Sequence, residues 1–185
     1  MRGHLALAAA VLFAAGCGRR LPEEPKGRFR MEISSPAFKQ GERIPAKYTG
    51  EGADVSPALA WTGVPAGTKS FALVCDDPDA PVAEPWVHWV MWGIPPTATG
   101  LPEGVTKVAR PKEVPGAMQG VNGFPKTGYN GPMPPKGHGP HRYFFKVYAL
   151  DFVPGLPEKA TKKDLLKAIG KQPLGSGELM GTYSR

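Results

Sequence analysis

Glycine and proline interrupt this chain so often that its regular elements must be short: 24 glycines and 22 prolines are spread over 185 residues. Proline fixes φ and removes a backbone donor, whereas glycine accepts turn conformations closed to other residues. Between these breaks stand strand-like runs at 29–34, 58–62, 70–75, 86–94 and 143–151. Short strands separated by turn residues predict a mostly β fold, an antiparallel β-sandwich. The run 86–94 is apolar on both faces, which predicts a central strand covered on both sides. One helix is expected at 161–170. Thr161 suits its N-cap, Asp164 the positive end of its dipole, and Leu165, Leu166 and Ile169 form an apolar face before Gly170 stops it.

The ends of these runs carry the polar residues of most interest. A strand period of two puts His88 on one face with Trp86, Val90 and Trp92, opposite Val87, Trp89 and Met91. The same period puts His141 with Tyr143, Phe145, Val147 and Ala149. Both imidazoles are therefore expected on buried faces, where each needs hydrogen-bond partners. The strand 70–75 runs out into Asp76-Asp77-Pro78-Asp79-Ala80-Pro81, and Asp77 is an obvious partner. The residues alone leave two readings open: a ligand pocket, or two core histidines whose hydrogen bonds are satisfied internally.

Three motifs in order, Asp77-Pro78-Asp79-Ala80-Pro81, Trp86-Val87-His88-Trp89 and Gly131-Pro132-Met133-Pro134-Pro135-Lys136-Gly137 leading into His141-Arg142-Tyr143, make the chain recognisable. It resembles the phosphatidylethanolamine-binding protein family, that of the Raf kinase inhibitory protein, and its bacterial branch above all. The similarity runs from about Met31 to Arg185 and takes in Ile44-Pro45-Ala46-Lys47-Tyr48-Thr49, Asp54-Val55-Ser56-Pro57 and the final Leu179-Met180-Gly181-Thr182-Tyr183. The resemblance implies two antiparallel sheets with Greek-key connections and a small helical contribution. It also implies a small anion pocket, lined here by Asp77, Pro81, His88, His141 and Tyr143. The chain ends without the additional C-terminal helix of the animal members.

Each implied residue has a physical task. Protonated His88 and His141 and the Tyr143 hydroxyl can donate to phosphate oxygens. Asp77 repels a dianion, so its use is to orient an imidazole, or to accept from a protonated headgroup oxygen or an ammonium. Pro81 holds a wall and Trp86 a floor. Gly131 is expected to offer its backbone N–H to the ligand, and Met133, where small residues are usual, to narrow the mouth or add an apolar contact. Pro125 and Asn130 also replace glycines common in this loop.

The chain opens with Arg2 and His4 before an apolar stretch from Leu5 to Ala15, short for a membrane span but suited to an export signal. Ala14-Ala15-Gly16-Cys17 looks like a lipoprotein processing box. The expected organisation is an export signal at 1–16, an acylated Cys17 with a flexible tether at 17–27, and one domain at 28–185. Lipidation at Cys17 would hold the protein at a membrane of the cell envelope. Cys75, the second of two cysteines, is then without a disulfide partner and suits a core position.

Other chemistries are less well supported. The net charge of +7 is scattered without a basic stripe interleaved with aromatics, so nucleic acid is not an expected partner; a plain solvated surface is the leading reading of these charges, and anionic headgroups the better match among binding partners. His138 and His141 have an H-x-x-H spacing but no third ligand, so no metal is expected. The run 175–181 is one residue too long for a dinucleotide fingerprint, and neither a P-loop nor a G-x-S-x-G motif is present, so no cofactor is expected. Without a nucleophile beside the histidines, an enzyme is not expected. The leading function is a membrane-tethered binding module for a small anionic, phosphorylated ligand such as a phospholipid headgroup. The alternative is an inhibitor or regulatory protein whose pocket rim meets a protease or another enzyme.

Overall fold

The computed structural model describes residues 24–170 and 172–185. In chain order the elements are β1 (Phe29–Arg30), β2 (Glu32–Ser34), a 3-10 turn at Ala46–Tyr48, β3 (Leu59–Thr62), β4 (Ser70–Asp77), β5 (Trp86–Ile94), β6 (Gly100–Leu101), β7 (Met118–Gln119), β8 (His141–Leu150), α1 (Lys162–Ile169) and β9 (Gly175–Tyr183). They form a six-stranded sheet in the order β1-β9-β8-β4-β5-β7 and a three-stranded sheet in the order β2-β3-β6.

The fold is mostly β, as expected, with one short helix. The expected antiparallel pairing holds except between β1 and β9, which run parallel. The run 29–34 is two strands, not one. Its first residues pair with β9 and its last with β3, so the chain crosses between sheets at Met31, whose side chain is buried in the core between them.

Alternation along the strands sorts side chains into two layers. Phe71, Leu73 and Cys75 of β4 and Tyr143, Phe145, Val147 and Ala149 of β8 enter the core between the sheets, with Leu59 and Trp61 of β3 opposite. Ala72, Val74, Tyr148 and Leu150 face the other way and are covered by Leu165 and Ile169 of α1. The helix has the expected ends: the Thr161 side chain accepts from the Asp164 amide, the Asp164 side chain accepts from the Thr161 amide, and Gly170 closes it at φ 70°.

β5 is covered on both sides as expected, but it lies next to the edge, with only the two residues of β7 beyond it. Its alternation is not strict. Cys75 pairs with Trp89 while Asp76 pairs with Val87, so His88 is an extra residue; a second irregularity falls between Leu73↔Met91 and Phe71↔Ile94. Gly93, at φ 66°, permits the latter, a backbone state that L side chains rarely adopt. In consequence Trp89 and Met91 enter the core between the sheets and Val90 and Trp92 the helix side. The expected sharing of one face by His88, Val90 and Trp92 is thus overturned: the bulge turns His88 towards Tyr143, with ring centroids 5.1 Å apart.

Candidate functional site

β4 ends where β5 and β8 begin, because both neighbours run antiparallel to it. The sheet therefore gathers Asp77, Trp86, His88, His141 and Tyr143 at one end of its inner face. Loops close around them to form a cleft of about 210 Å³, to which Pro81, Val82, Phe124, Met133, Pro134 and Pro135 also contribute. A larger, open depression of about 2100 Å³ runs along the opposite face of the sheet beside α1. The smaller cleft is the one in which the titratable side chains converge.

Asp77 holds His141. Its Oδ2 lies 2.7 Å from His141 Nδ1, with both side chains almost wholly buried, while Oδ1 accepts from the Asp79 amide at 2.8 Å. The second nitrogen of His141, Nε2, lies 2.7 Å from Nδ1 of His138. One hydrogen lies between those two nitrogens, so one ring donates and the other accepts. His138 is exposed and covers the His141 nitrogen that a ligand would use.

His88 has a different character. Its Nδ1 lies 2.6 Å from the Asn130 carbonyl oxygen, so that nitrogen carries the hydrogen and donates. Burial lowers the pKa of His88 from the ordinary imidazole value, against the raising influences of the Asn130 carbonyl, Asp77 and Asp76. The ring is neutral at pH 7, contrary to the expectation of a charged donor. Its Nε2 is then a lone-pair acceptor on a residue that lines the cleft. Phe124 packs edge-on against both His88 and Trp86, at centroid distances of 5.5 and 5.4 Å.

Tyr143 supplies the remaining polar atom. The residue is 1% exposed, and its buried hydroxyl makes no hydrogen bond of regular geometry, although the Asp77 carboxylate is near enough to act on it. Burial, and after it the nearby Asp77 carboxylate, raises the phenol's pKa, so it remains a protonated donor. A buried hydroxyl without a regular hydrogen bond is costly, on the order of 1–3 kcal/mol, and here it belongs to a residue that lines the cleft.

Seven of the eight expected ligand-site residues, Asp77, Pro81, Trp86, His88, Met133, His141 and Tyr143, line this cleft. Gly131 does not. Its amide is taken by Asp54 Oδ1 at 2.6 Å, and a Cβ there would stand 2.3 Å from the Tyr48 carbonyl oxygen. The glycine is needed for that crossing of two loops rather than for a ligand. Asn130 serves the site instead, through its carbonyl. Phe124 and Val82 come from loops whose approach no strand period foretells. Cys17 lies outside the described residues.

The family model for phosphatidylethanolamine-binding proteins matches residues 34–184. The chain belongs to this family. The UPF0098 protein of Methanothermobacter thermautotrophicus is 47% identical over 155 residues, covering 84% of this chain and 99% of the relative. Among solved structures, a phosphatidylethanolamine-binding protein homologue of Chlamydia trachomatis matches with TM-score 0.75 and 37% identity, over 84% of this chain and 98% of its own. E. coli YbcL, described as a new member of the mammalian family, matches with TM-score 0.77 and 36% identity over the same shares. The Asp77, His88, His141 and Tyr143 cleft therefore lies within the stretch that the family model spans.

Proposed function

We propose that the chain is a membrane-tethered binding module whose cleft takes a small phosphate monoester that still carries one hydrogen, the chemistry of a free phosphorylated headgroup such as O-phosphorylethanolamine. The observation that carries this reading is the buried Tyr143 hydroxyl without a regular hydrogen bond, in a cleft of about 210 Å³. Around it the polar groups divide by role. Tyr143 donates and neutral His88 accepts, while Nε2 of His141, whose Nδ1 is held by Asp77, becomes available once His138 moves aside. A phosphate monoester carrying one hydrogen matches the Tyr143 donor and the His88 acceptor together; a fully ionised oxyanion leaves His88 unpaired. The Asp77 carboxylate beside the cleft repels a second negative charge, which disfavours a dianion. No Ser, Thr or Cys lines the cleft, and this favours binding over nucleophilic catalysis.

Val82 and Met133 favour a second reading. These exposed apolar side chains flank the mouth, 40% and 51% accessible, and suit either the apolar part of a lipid or a partner protein meeting the rim.

Calorimetry with O-phosphorylethanolamine, inorganic phosphate, sulfate and ethanolamine tests the reading. A ligand at 100 times its Kd raises stability by about 2.7 kcal/mol. Both phosphates are expected to raise Tm, and sulfate, which has no hydrogen to give His88 at neutral pH, to raise it less. Tyr143→Phe is expected to weaken phosphate binding about tenfold, the loss of one hydrogen bond to a charged group. Equal stabilisation by sulfate, or unchanged binding by Tyr143→Phe, would refute it. In the same expression strain, Cys17→Ser is expected to move the protein from the membrane fraction to the soluble one; an unchanged distribution would remove the tether from the reading.

A further inference from the structure

Consecutive residues of a strand point to opposite faces, so Asp76 and Asp77 serve different places. Asp77 enters the cleft. Asp76, 1% exposed, faces the outer side of the sheet, where Lys146 and Lys162 meet it. Lys146 Nζ stands 2.9 Å from Asp76 Oδ1, and Lys162 bonds Oδ2. A third acid arrives from the segment ahead of β1. Glu24 places Oε2 2.7 Å from Lys146 Nζ and Oε1 2.5 Å from Lys162 Nζ, and the Tyr148 hydroxyl donates to Oε2 at 3.3 Å.

The charge balance requires that third acid. Two ammonium groups against Asp76 leave one positive charge, and both lysine side chains are largely out of water, where an unmatched charge is expensive. Tyr148, buried more deeply still, would lose its acceptor without Glu24. Burial works against the Glu24 carboxylate, but the charges and hydrogen bonds of Lys146 and Lys162 outweigh it and hold its carboxyl at about 2. The following residues are held by a side chain of β9 and by the backbone just ahead of that strand. Gly27 N–H donates to Ser176 Oγ at 2.8 Å, and the amides of Arg28 and Phe29 donate to the carbonyls of Pro173 and Leu174 at 3.2 and 2.9 Å. The arrangement is that of an extended segment added to a sheet edge with an acidic side chain as its anchor.

We propose that Lys146, Lys162 and Tyr148 form a carboxylate-binding site on the outer face of the six-stranded sheet, with Glu24 as its ligand, so that one exchangeable acid anchors the segment ahead of β1 to the domain. The site is independent of the phosphoryl cleft, on the opposite face of the same strands. While Glu24 occupies it, the N-terminal segment leaves the domain from a fixed point.

The full chain and its Glu24→Gln variant test the proposal, with a synthetic nonapeptide of this chain's residues 22–30, Pro-Glu-Glu-Pro-Lys-Gly-Arg-Phe-Arg, as probe. In the variant, hydrogen exchange at the Gly27, Arg28 and Phe29 amides is expected to speed at least about tenfold, the mark of a segment that has lost its anchor. The peptide is expected to shift the Lys162 and Tyr148 side-chain resonances of the variant at concentrations at least about tenfold below those the parent needs, because in the parent the site is filled. The same peptide with Gln in the place of Glu24 is expected to lose that advantage. Unchanged exchange rates would overturn Glu24 as anchor, and equal response of parent and variant to the peptide would overturn an exchangeable site.

Discussion

A ring that has lost its water and gained a carbonyl as partner resists protonation, and His88 is such a ring. Its native pKa lies below the ordinary 6.5 because of burial, so just below that value the unfolded chain binds a proton that the native chain refuses. Stability then rises with pH: the contribution is fully present above the unfolded value and is lost as pH falls through it. The carboxylates whose pKa is lowered, Glu24 by its lysines and Asp79 by Arg142, withdraw their contributions only at lower pH. Between roughly pH 7.5 and 5.5, Tm is expected to fall in the parent and to fall less in His88→Gln. The variant is expected to be less stable at neutral pH by about 1–3 kcal/mol, since the Asn130 carbonyl loses its partner. Parallel pH profiles in calorimetry would show that His88 is not the group refusing the proton. At this scale Asp77, His88, His141 and Tyr143 were legible, because motif and strand ends coincide. Asp76 was not recognised beside Asp77, although alternation sends it to the other face. Gly131 was misread because crowding by the Tyr48 carbonyl is a tertiary fact that no local pattern records.

Among the elements, β9 departs furthest from what the sequence suggested. Its glycines at 175, 177 and 181 dilute the strand signal, since glycine weakens a strand and offers nothing to pack. The reason for them is proximity. A Cβ at Gly177 would stand 2.3 Å from the Met31 carbonyl oxygen, and one at Gly181 2.6 Å from Ile44 Cγ1. β9 pairs with β8 over its whole length, from His141↔Tyr183 to Ala149↔Gly175, while the crossing from β1 to β2 passes directly over it. Gly177→Ala is therefore expected to cost about 1–3 kcal/mol through overpacking, seen as a lower urea midpoint with an unchanged slope. A neutral result would mean that the Met31 crossing yields without strain. The two irregularities in β5 were hidden for a different reason. A bulge depends on the register against the partner strand, and a single run of residues contains no register. The helix was legible down to its caps because Thr161, Asp164 and Gly170 act within one turn of its ends.

For the whole molecule, β4 is the element on which both layers depend. Every residue from Ser70 to Asp77 is buried; one face packs into the core between the sheets and the other against α1. Cys75 stands in this strand at 1% exposure, flanked by Trp89 of β5 and Phe145 of β8. Burial, with smaller contributions from Asp76 and Asp77, raises its thiol pKa well above the ordinary value, so the native thiol is both covered and protonated. A reagent can reach it only after the six-stranded sheet has opened, and the opening of a central strand has a free energy near that of global unfolding. For a domain stable by about 5–15 kcal/mol, labelling is slowed at least about a thousandfold relative to the unfolded chain. In a Cys17→Ser background, the labelling rate of Cys75 under native conditions is expected to rise with urea with the same slope as the equilibrium unfolding curve. A fast rate nearly independent of urea would instead reveal a local opening. That opening would lie at the β4–β5 seam, where the His88 bulge leaves the ladder between the two strands weakest.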